Sequence, residues 1–190
     1  MAKRSPNILL QKGIPMVLIP GLMAALALGW SGKEIGNMKN WYESKQVFPS
    51  AGVVKQVEDG DTFLLTSGHR VRLLGINAPD RGDEAYASSS STLTNMIAGK
   101  KVFLEYDRYQ DDKYGRILAW VWIECEKAPS FLPANYMHKT YNTSWPQLTT
   151  NPIGCQEGKL INEQLVRASA AKAEVYKDRG PLKYEDRITK

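Results

Sequence analysis

Three short stretches of this chain hold residue types that bind ions and move protons. Asp59-Gly60-Asp61-Thr62 sets carboxylates at the end of a short apolar run. Arg72-Leu73-Leu74-Gly75-Ile76-Asn77-Ala78-Pro79-Asp80 follows with a guanidinium, an amide and a further carboxylate, and Asp112-Lys113-Tyr114-Gly115-Arg116 supplies another arginine just before an apolar run. A charged Arg72 among apolar neighbours needs a partner if it is buried, and Asp61 and Asp80 are the nearest candidates. Taken singly these pieces are weak, because Asp-Gly-Asp-Thr is ordinary turn composition and an arginine is often just a salt bridge.

The elements that must position these residues read as short strands. Segments 53–57 and 62–65 are β-rich runs around a turn at 58–60, which predicts a hairpin with Asp61 at a strand start. After the Ser67-Gly68 turn, 69–76 alternates, with Val71 and Leu73 on one side and Arg72, Leu74 and Ile76 on the other. Residues 83–98 are compatible with a helix stopped by Gly99, 102–106 returns to strand, 107–115 is a polar loop and 117–123 is a strongly apolar strand. Leu160, Ile161, Leu165 and Val166 predict another helix over 159–170, and a third begins within 181–190. Five short strands, with a helix after the third and helices at the end, predict an α+β fold: a five-stranded OB-fold barrel with appended helices over 51–190.

Composition and charge bound the rest. With 43% hydrophobic and 24% charged residues, the 190-residue chain is globular in class. The net charge of +5 is concentrated at the N-terminus, where residues 1–46 carry six Lys/Arg against two Asp/Glu, while 47–190 carry 19 against 18. The domain itself is near neutral, so any polyanion contact must use local clusters. Residues 1–12 are basic and 13–32 carry no charge; as a helix, such a stretch rises about 30 Å, enough to cross a bilayer core. Segment 13–32 therefore reads as a transmembrane anchor, or as a signal h-region with cleavage after Ala27. A soluble buried helix is disfavoured by Pro15 and Pro20. The basic flank keeps residues 1–12 on the cytoplasmic or matrix side and sends the domain to the exported side, membrane-anchored behind a polar stalk at 33–50, or secreted.

With the segments placed, their ordered set resembles the staphylococcal nuclease (thermonuclease) family. The resemblance runs from about 53 to 186 and adds Ile161-Asn162-Glu163-Gln164-Leu165-Val166-Arg167 to the motifs quoted above. It implies a calcium-dependent phosphodiesterase acting on DNA and RNA at the mouth of the barrel. Arg72 and Arg116 take the positions of the arginines that contact the scissile phosphate, a role suited to planar, permanently charged forks. Asp61, Asn77 and the main chain of Ala78 take the calcium-ligand positions, and Asp80 that of the residue organising the attacking water. Lys113, Tyr114 and Tyr176 correspond to residues near a bound nucleotide's terminal phosphate, with half-buried packing the alternative role for either tyrosine. Three departures stand out. Asn77 removes a negative charge from the calcium ligands, Asp80 is one methylene shorter than the family's glutamate, and Glu174 replaces a phosphate-binding tyrosine. Asp83 or Glu84 could substitute for Asp80.

The family's tight hairpin is here an inserted loop at about 126–156, bracketed by the chain's two cysteines, Cys125 and Cys155. In an exported protein this spacing reads as a disulfide. Phe131, Tyr136, His138, Tyr141 and Trp145, interleaved with Lys139, either stack single-stranded bases or fold back as a local cap. Asn142-Thr143-Ser144 is a glycosylation sequon. Two functions follow from the resemblance: an exported nuclease with single-stranded DNA or RNA as substrate, or a catalytically weakened or inactive module that binds protein or nucleic acid, as a subunit of a membrane assembly with protein partners.

Overall fold

A computed structural model of the chain describes residues 48–129, 131, 155–176 and 180–190. The anchor or signal segment 13–32, nearly all of the stalk and most of the inserted loop, with its sequon, lie outside these residues. Among the described residues no helix is long and apolar enough to cross a membrane.

The strands close into a barrel. β1 (Ala51–Val57), β2 (Thr62–Leu65) and β3 (Arg70–Leu73) pair antiparallel in sequence, and β1 also pairs with β5 (Lys101–Glu105), which pairs with β6 (Ile117–Ile123). A parallel β3–β6 ladder completes the five-stranded cylinder, so none of its strands keeps an open edge there. β1 serves two partners because a register shift between Val54 and Gln56 bends it. Outside the barrel, β7 (Lys159–Leu160) extends from β6, and β4 (Ile76–Asn77) pairs with β8 (Lys172–Ala173). The helices are α1 (Tyr86–Ile97), α2 (Ile161–Arg167) and α3 (Glu185–Ile188).

The apolar pattern explains the closure. Phe63, Leu65, Val71, Leu73, Val102 and Leu104 are all buried in the core. β6 is buried on both faces from Ala119 to Ile123; on one of them Trp120 and Trp122 meet the Tyr184 ring of the C-terminal segment edge-on, with centroids 5.3 and 5.5 Å apart. Fully covered Glu105 accepts from Trp122 Nε1 at 2.8 Å and from the Tyr184 hydroxyl at 3.0 Å, and it is ion-paired with Lys183. Asp107 accepts from Trp120 Nε1 at 2.8 Å and from the Lys183 amide at 2.7 Å. These acids fasten the C-terminus to the barrel.

Three expectations shift in detail. The alternation of 69–76 breaks at Gly75, whose φ of +71° turns the chain and leaves Leu74 and Ile76 buried in the core. The first helix starts at Tyr86 rather than 83, because Asp80–Asp83 is a turn in which the Asp83 amide donates to the Asp80 carbonyl at 3.0 Å. Two hydroxyls of the 88–91 serine run find carbonyls: Ser88 Oγ donates to Ala85 at 2.9 Å, and buried Ser89 Oγ donates to Ala170 at 2.7 Å. The second helix is shorter than 159–170 because its first residues form β7. Asn162 on that helix is fully buried; its Nδ2 donates to the Leu74 carbonyl at 2.8 Å and its Oδ1 accepts from the Val121 amide at 3.0 Å, tying the exit of β3 to β6. The Cys125–Cys155 disulfide is formed, with Cα atoms 5.2 Å apart, and the Glu126 amide donates to the Gln156 carbonyl at 3.1 Å beside it.

A Cβ at Gly75 would stand 2.9 Å from Trp120 and 3.0 Å from Ile188, in a left-handed conformation that side chains adopt at a cost. Gly75→Ala is expected to lose about 2–4 kcal/mol in urea unfolding. Replacing both cysteines by serine should lower stability by roughly 3 kcal/mol in the same measurement.

Candidate active site

Strand register gathers the charged residues. Thr62 lies opposite Arg72 in the β2–β3 ladder, so Asp61, one residue earlier, comes beside the guanidinium. The parallel register sets Leu118 against Arg72, which brings Arg116, just before β6, to the same end of the barrel. Asp61, Arg72, Asp80 and Arg116 line one cavity of about 300 Å³. Asp59, Arg81 and Tyr86 complete its polar wall.

Asp61 is the fixed point. Only 3% exposed, it accepts from Arg72 Nη1 at 2.6 Å and from Thr62 Oγ1 at 2.9 Å on one oxygen, and from the Ala78 amide at 3.0 Å on the other. Burial pushes its carboxyl above the ordinary aspartate range, against the opposing pull of the Arg72 charge and the Ala78 hydrogen bond. Gly60 is required beside it, since a Cβ there would fall 1.9 Å from Ser89 Oγ and 2.7 Å from the Ala78 Cβ. The turn and α1 can approach this closely only without a side chain.

The arginines are held differently. Arg72 takes Asp61 as its ionic partner rather than Asp80; its Nη2 donates to Asn77 Oδ1 at 2.8 Å, and Glu174 Oε2 lies 3.9 Å away. Arg116 is gripped through Nε, which donates to Asp112 Oδ2 at 2.7 Å, while Asp112 Oδ1 accepts the amides of Tyr114 and Arg116 at 2.9 and 3.0 Å. That loop holds Arg116 by one edge of its guanidinium at the wall of the cavity. Asp112 thus holds Arg116, a role signalled in its motif only by a carboxylate four residues before an arginine across the Gly115 turn.

The other singled-out residues sit around this centre. Asp80 is exposed on its turn, with its amide donating to Asp83 Oδ2 at 3.0 Å; Asp83 is thereby a turn residue, and neither it nor Glu84 is among the cavity walls. Tyr114 is 66% exposed beneath the cations of Lys113 and Arg116, which lie 5.0 and 5.3 Å from its ring centroid. Tyr176 donates to Glu174 Oε2 at 3.2 Å and packs edge-on to Tyr109 at 6.5 Å. Lys113, Tyr114 and Tyr176 do not line the cavity.

No group of three or more His, Cys, Asp or Glu side chains able to hold a metal occurs among the described residues. The oxygens of Asp61 and Asn77 nevertheless converge on one positive charge, the Arg72 guanidinium, at 2.6 and 2.8 Å. Both donors are oxygens, the type that a hard cation prefers and that zinc or copper does not, and in this structure both are engaged by Arg72.

The comparison with known proteins agrees with this geometry. A family model described as "Staphylococcal nuclease homologue" matches residues 70–190. The chain belongs to the staphylococcal nuclease family. It is similar to a thermonuclease of Staphylococcus intermedius, at 39% identity over 37% of this chain and 48% of the relative. An uncharacterized endonuclease of Escherichia coli is 32% identical over 54% of this chain and 65% of its own length. A thermonuclease of Staphylococcus hyicus is 26% identical over 71% and 64%. The chain thus spans between about half and two thirds of the length of these curated relatives.

Asp61 binds its proton more readily in the folded state than in the unfolded one, so its ionisation works against folding. The melting temperature of the wild type relative to Asp61→Asn should fall as pH rises from the ordinary aspartate value of about 3.9, and level off above the raised one. A pH-independent difference in paired thermal melts would contradict this.

Proposed function

We propose that this domain hydrolyses phosphodiester bonds of single-stranded DNA and RNA in the cavity between Arg72 and Arg116. The observation that carries the reading is the pair of separately anchored guanidiniums facing one cavity whose floor is the buried Asp61 carboxylate. Each fork is already oriented by its own aspartate, so little reorganisation is needed when charge grows on a phosphate between them.

In this mechanism Arg72 and Arg116 bind the non-bridging oxygens and stabilise the added charge as a water oxygen forms its bond to phosphorus. The Asp80 carboxylate, at the solvent-facing wall, takes the proton from that water; the ester bond on the far side breaks and its oxygen is protonated from solvent. Asp61 and Asn77, with the Ala78 carbonyl, are the residues that would hold calcium. Calcium supplies positive charge at the phosphate when bound. The uncharged Asn77 and the short Asp80 lead to weak metal affinity and a modest rate. The uncharged 13–32 segment supports an anchored protein with this domain on the exported side of a membrane.

A second reading, binding without cleavage, is favoured by one observation: Asn77 Oδ1 is already engaged by Arg72 at 2.8 Å. Calcium separates the two. With the full chain and single-stranded DNA, cleavage should appear at millimolar calcium and be lost on chelation. Arg72→Ala and Arg116→Ala should each lower kcat by about 100-fold or more. Binding with no calcium-dependent product would reject the hydrolytic reading in favour of the second. Asn77→Asp should tighten calcium binding, read by calorimetry independently of turnover.

A further inference from the structure

Arg81 is a further guanidinium at the cavity, and the roles above leave it unused. Its environment differs from that of the other two. Arg72 and Arg116 are ion-paired at 2.6 and 2.7 Å, whereas no carboxylate among the described residues pairs with Arg81. Its guanidinium carbon instead lies 5.9 Å from the ring centroid of Tyr86. Tyr86 is itself pinned: it is the first residue of α1, and its hydroxyl donates to the Glu58 carbonyl at 3.2 Å across to the turn that carries Asp59 and Asp61.

The backbone is equally defined. Arg81 and Gly82 are the central residues of the Asp80–Asp83 turn, with Gly82 at φ +113° supplying the conformation a side chain would resist. That turn starts at Asp80, so the position of Arg81 is fixed relative to the carboxylate assigned to the water. A cation over an aromatic face keeps its full charge while its side-chain freedom is reduced. The result is a positioned cation at the cavity wall with no carboxylate within ion-pairing distance among the described residues.

We propose that Arg81, held by Tyr86, is a subsite for the phosphate of the nucleotide neighbouring the cleaved linkage, so that it recognises a strand rather than a single nucleotide. The proposal rests on the nuclease reading of the cavity and extends it along the substrate. In a domain of near-neutral charge, such a contact is one of the few local sources of affinity for a polyanion.

The test is binding of a fluorescently labelled single-stranded DNA 9-mer to the full chain by anisotropy across a salt series, with divalent ions chelated. Arg81→Gln should weaken binding and lower the slope of log affinity against log salt by about 0.7, the value for one phosphate contact on a single strand. Arg81→Lys should keep the slope, and Arg81→Gln should leave the affinity for a single deoxynucleoside 5′-monophosphate unchanged. Arg81 is exposed, so melting temperatures of these variants should match the wild type. Equal slopes for wild type and Arg81→Gln would overturn the subsite while leaving the nuclease reading intact. Equal losses for the 9-mer and the monophosphate would overturn it too, by placing Arg81 at the scissile phosphate. A wild-type chain that binds no 9-mer at low salt would overturn the subsite, while the nuclease reading stands or falls on calcium-dependent cleavage.

Discussion

A carboxylate buried beside a guanidinium constrains the rest of this molecule. Asp61 loses its water at 3% exposure and must recover hydrogen bonds inside the protein. It does so from three separate places: Thr62 on its own strand, Arg72 on the neighbouring strand and the Ala78 amide beyond β4. Each donor therefore fixes the position of a different segment. Removing one partner of such a buried pair typically costs about 3–5 kcal/mol, because the other is left charged and dry. The β2 start, the Arg72 side chain and the chain running into the Asp80 turn consequently act as one unit.

The same logic repeats on the far side of the barrel, without any evident link to chemistry. Glu105 and Asp107 are fully covered, and their partners come from Trp120, Trp122, Lys183 and Tyr184. Burial and the adjacent Glu105 charge raise the Tyr184 hydroxyl far above its usual range, so it remains a donor at all ordinary pH. Leu182 and Ile188 are held against Gly75, the residue at which β3 turns away toward Asn77. A C-terminal segment that docked loosely would thus release the strand exit carrying half of the site. The buried acids stabilise the active-site wall from behind.

What the sequence makes legible follows from how local each signal is. The β1–β2 hairpin, the inward Val71 and Leu73, the apolar β6 and the closed five-stranded barrel are written in short-range alternation and turn composition. The pairing of Arg72 with Asp61 was one of two candidates, and only the Thr62–Arg72 register decides between them. The burial of Leu74 and Ile76 was hidden because strict alternation ignores a glycine at positive φ. The role of Asn162 depends on Leu74 and Val121, far away in sequence, and a polar residue on an apolar helix face gives no sign of which carbonyl and amide it will meet. Asp112 as the holder of Arg116 was within reach, since a carboxylate four residues before an arginine across a Gly turn invites the contact.

Charge placement around Arg72 completes the picture of a site with altered balance. Asn77 brings an oxygen to 2.8 Å from the guanidinium but no charge, while Glu174 brings a charge to 3.9 Å from the same nitrogen. Glu174 is held where it is by the β4–β8 ladder, in which Ile76 pairs with Ala173, and by its own amide, which donates to the Gly75 carbonyl at 2.8 Å. Its side chain is 39% exposed, so water screens it, and its pull on Arg72 is far weaker than that of the buried Asp61. A phosphate arriving at Arg72 therefore has to displace only a loosely held counter-charge, whereas Asp61 stays in place and keeps the fork oriented. The exposed carboxylate also repels a second anion on that side of Arg72.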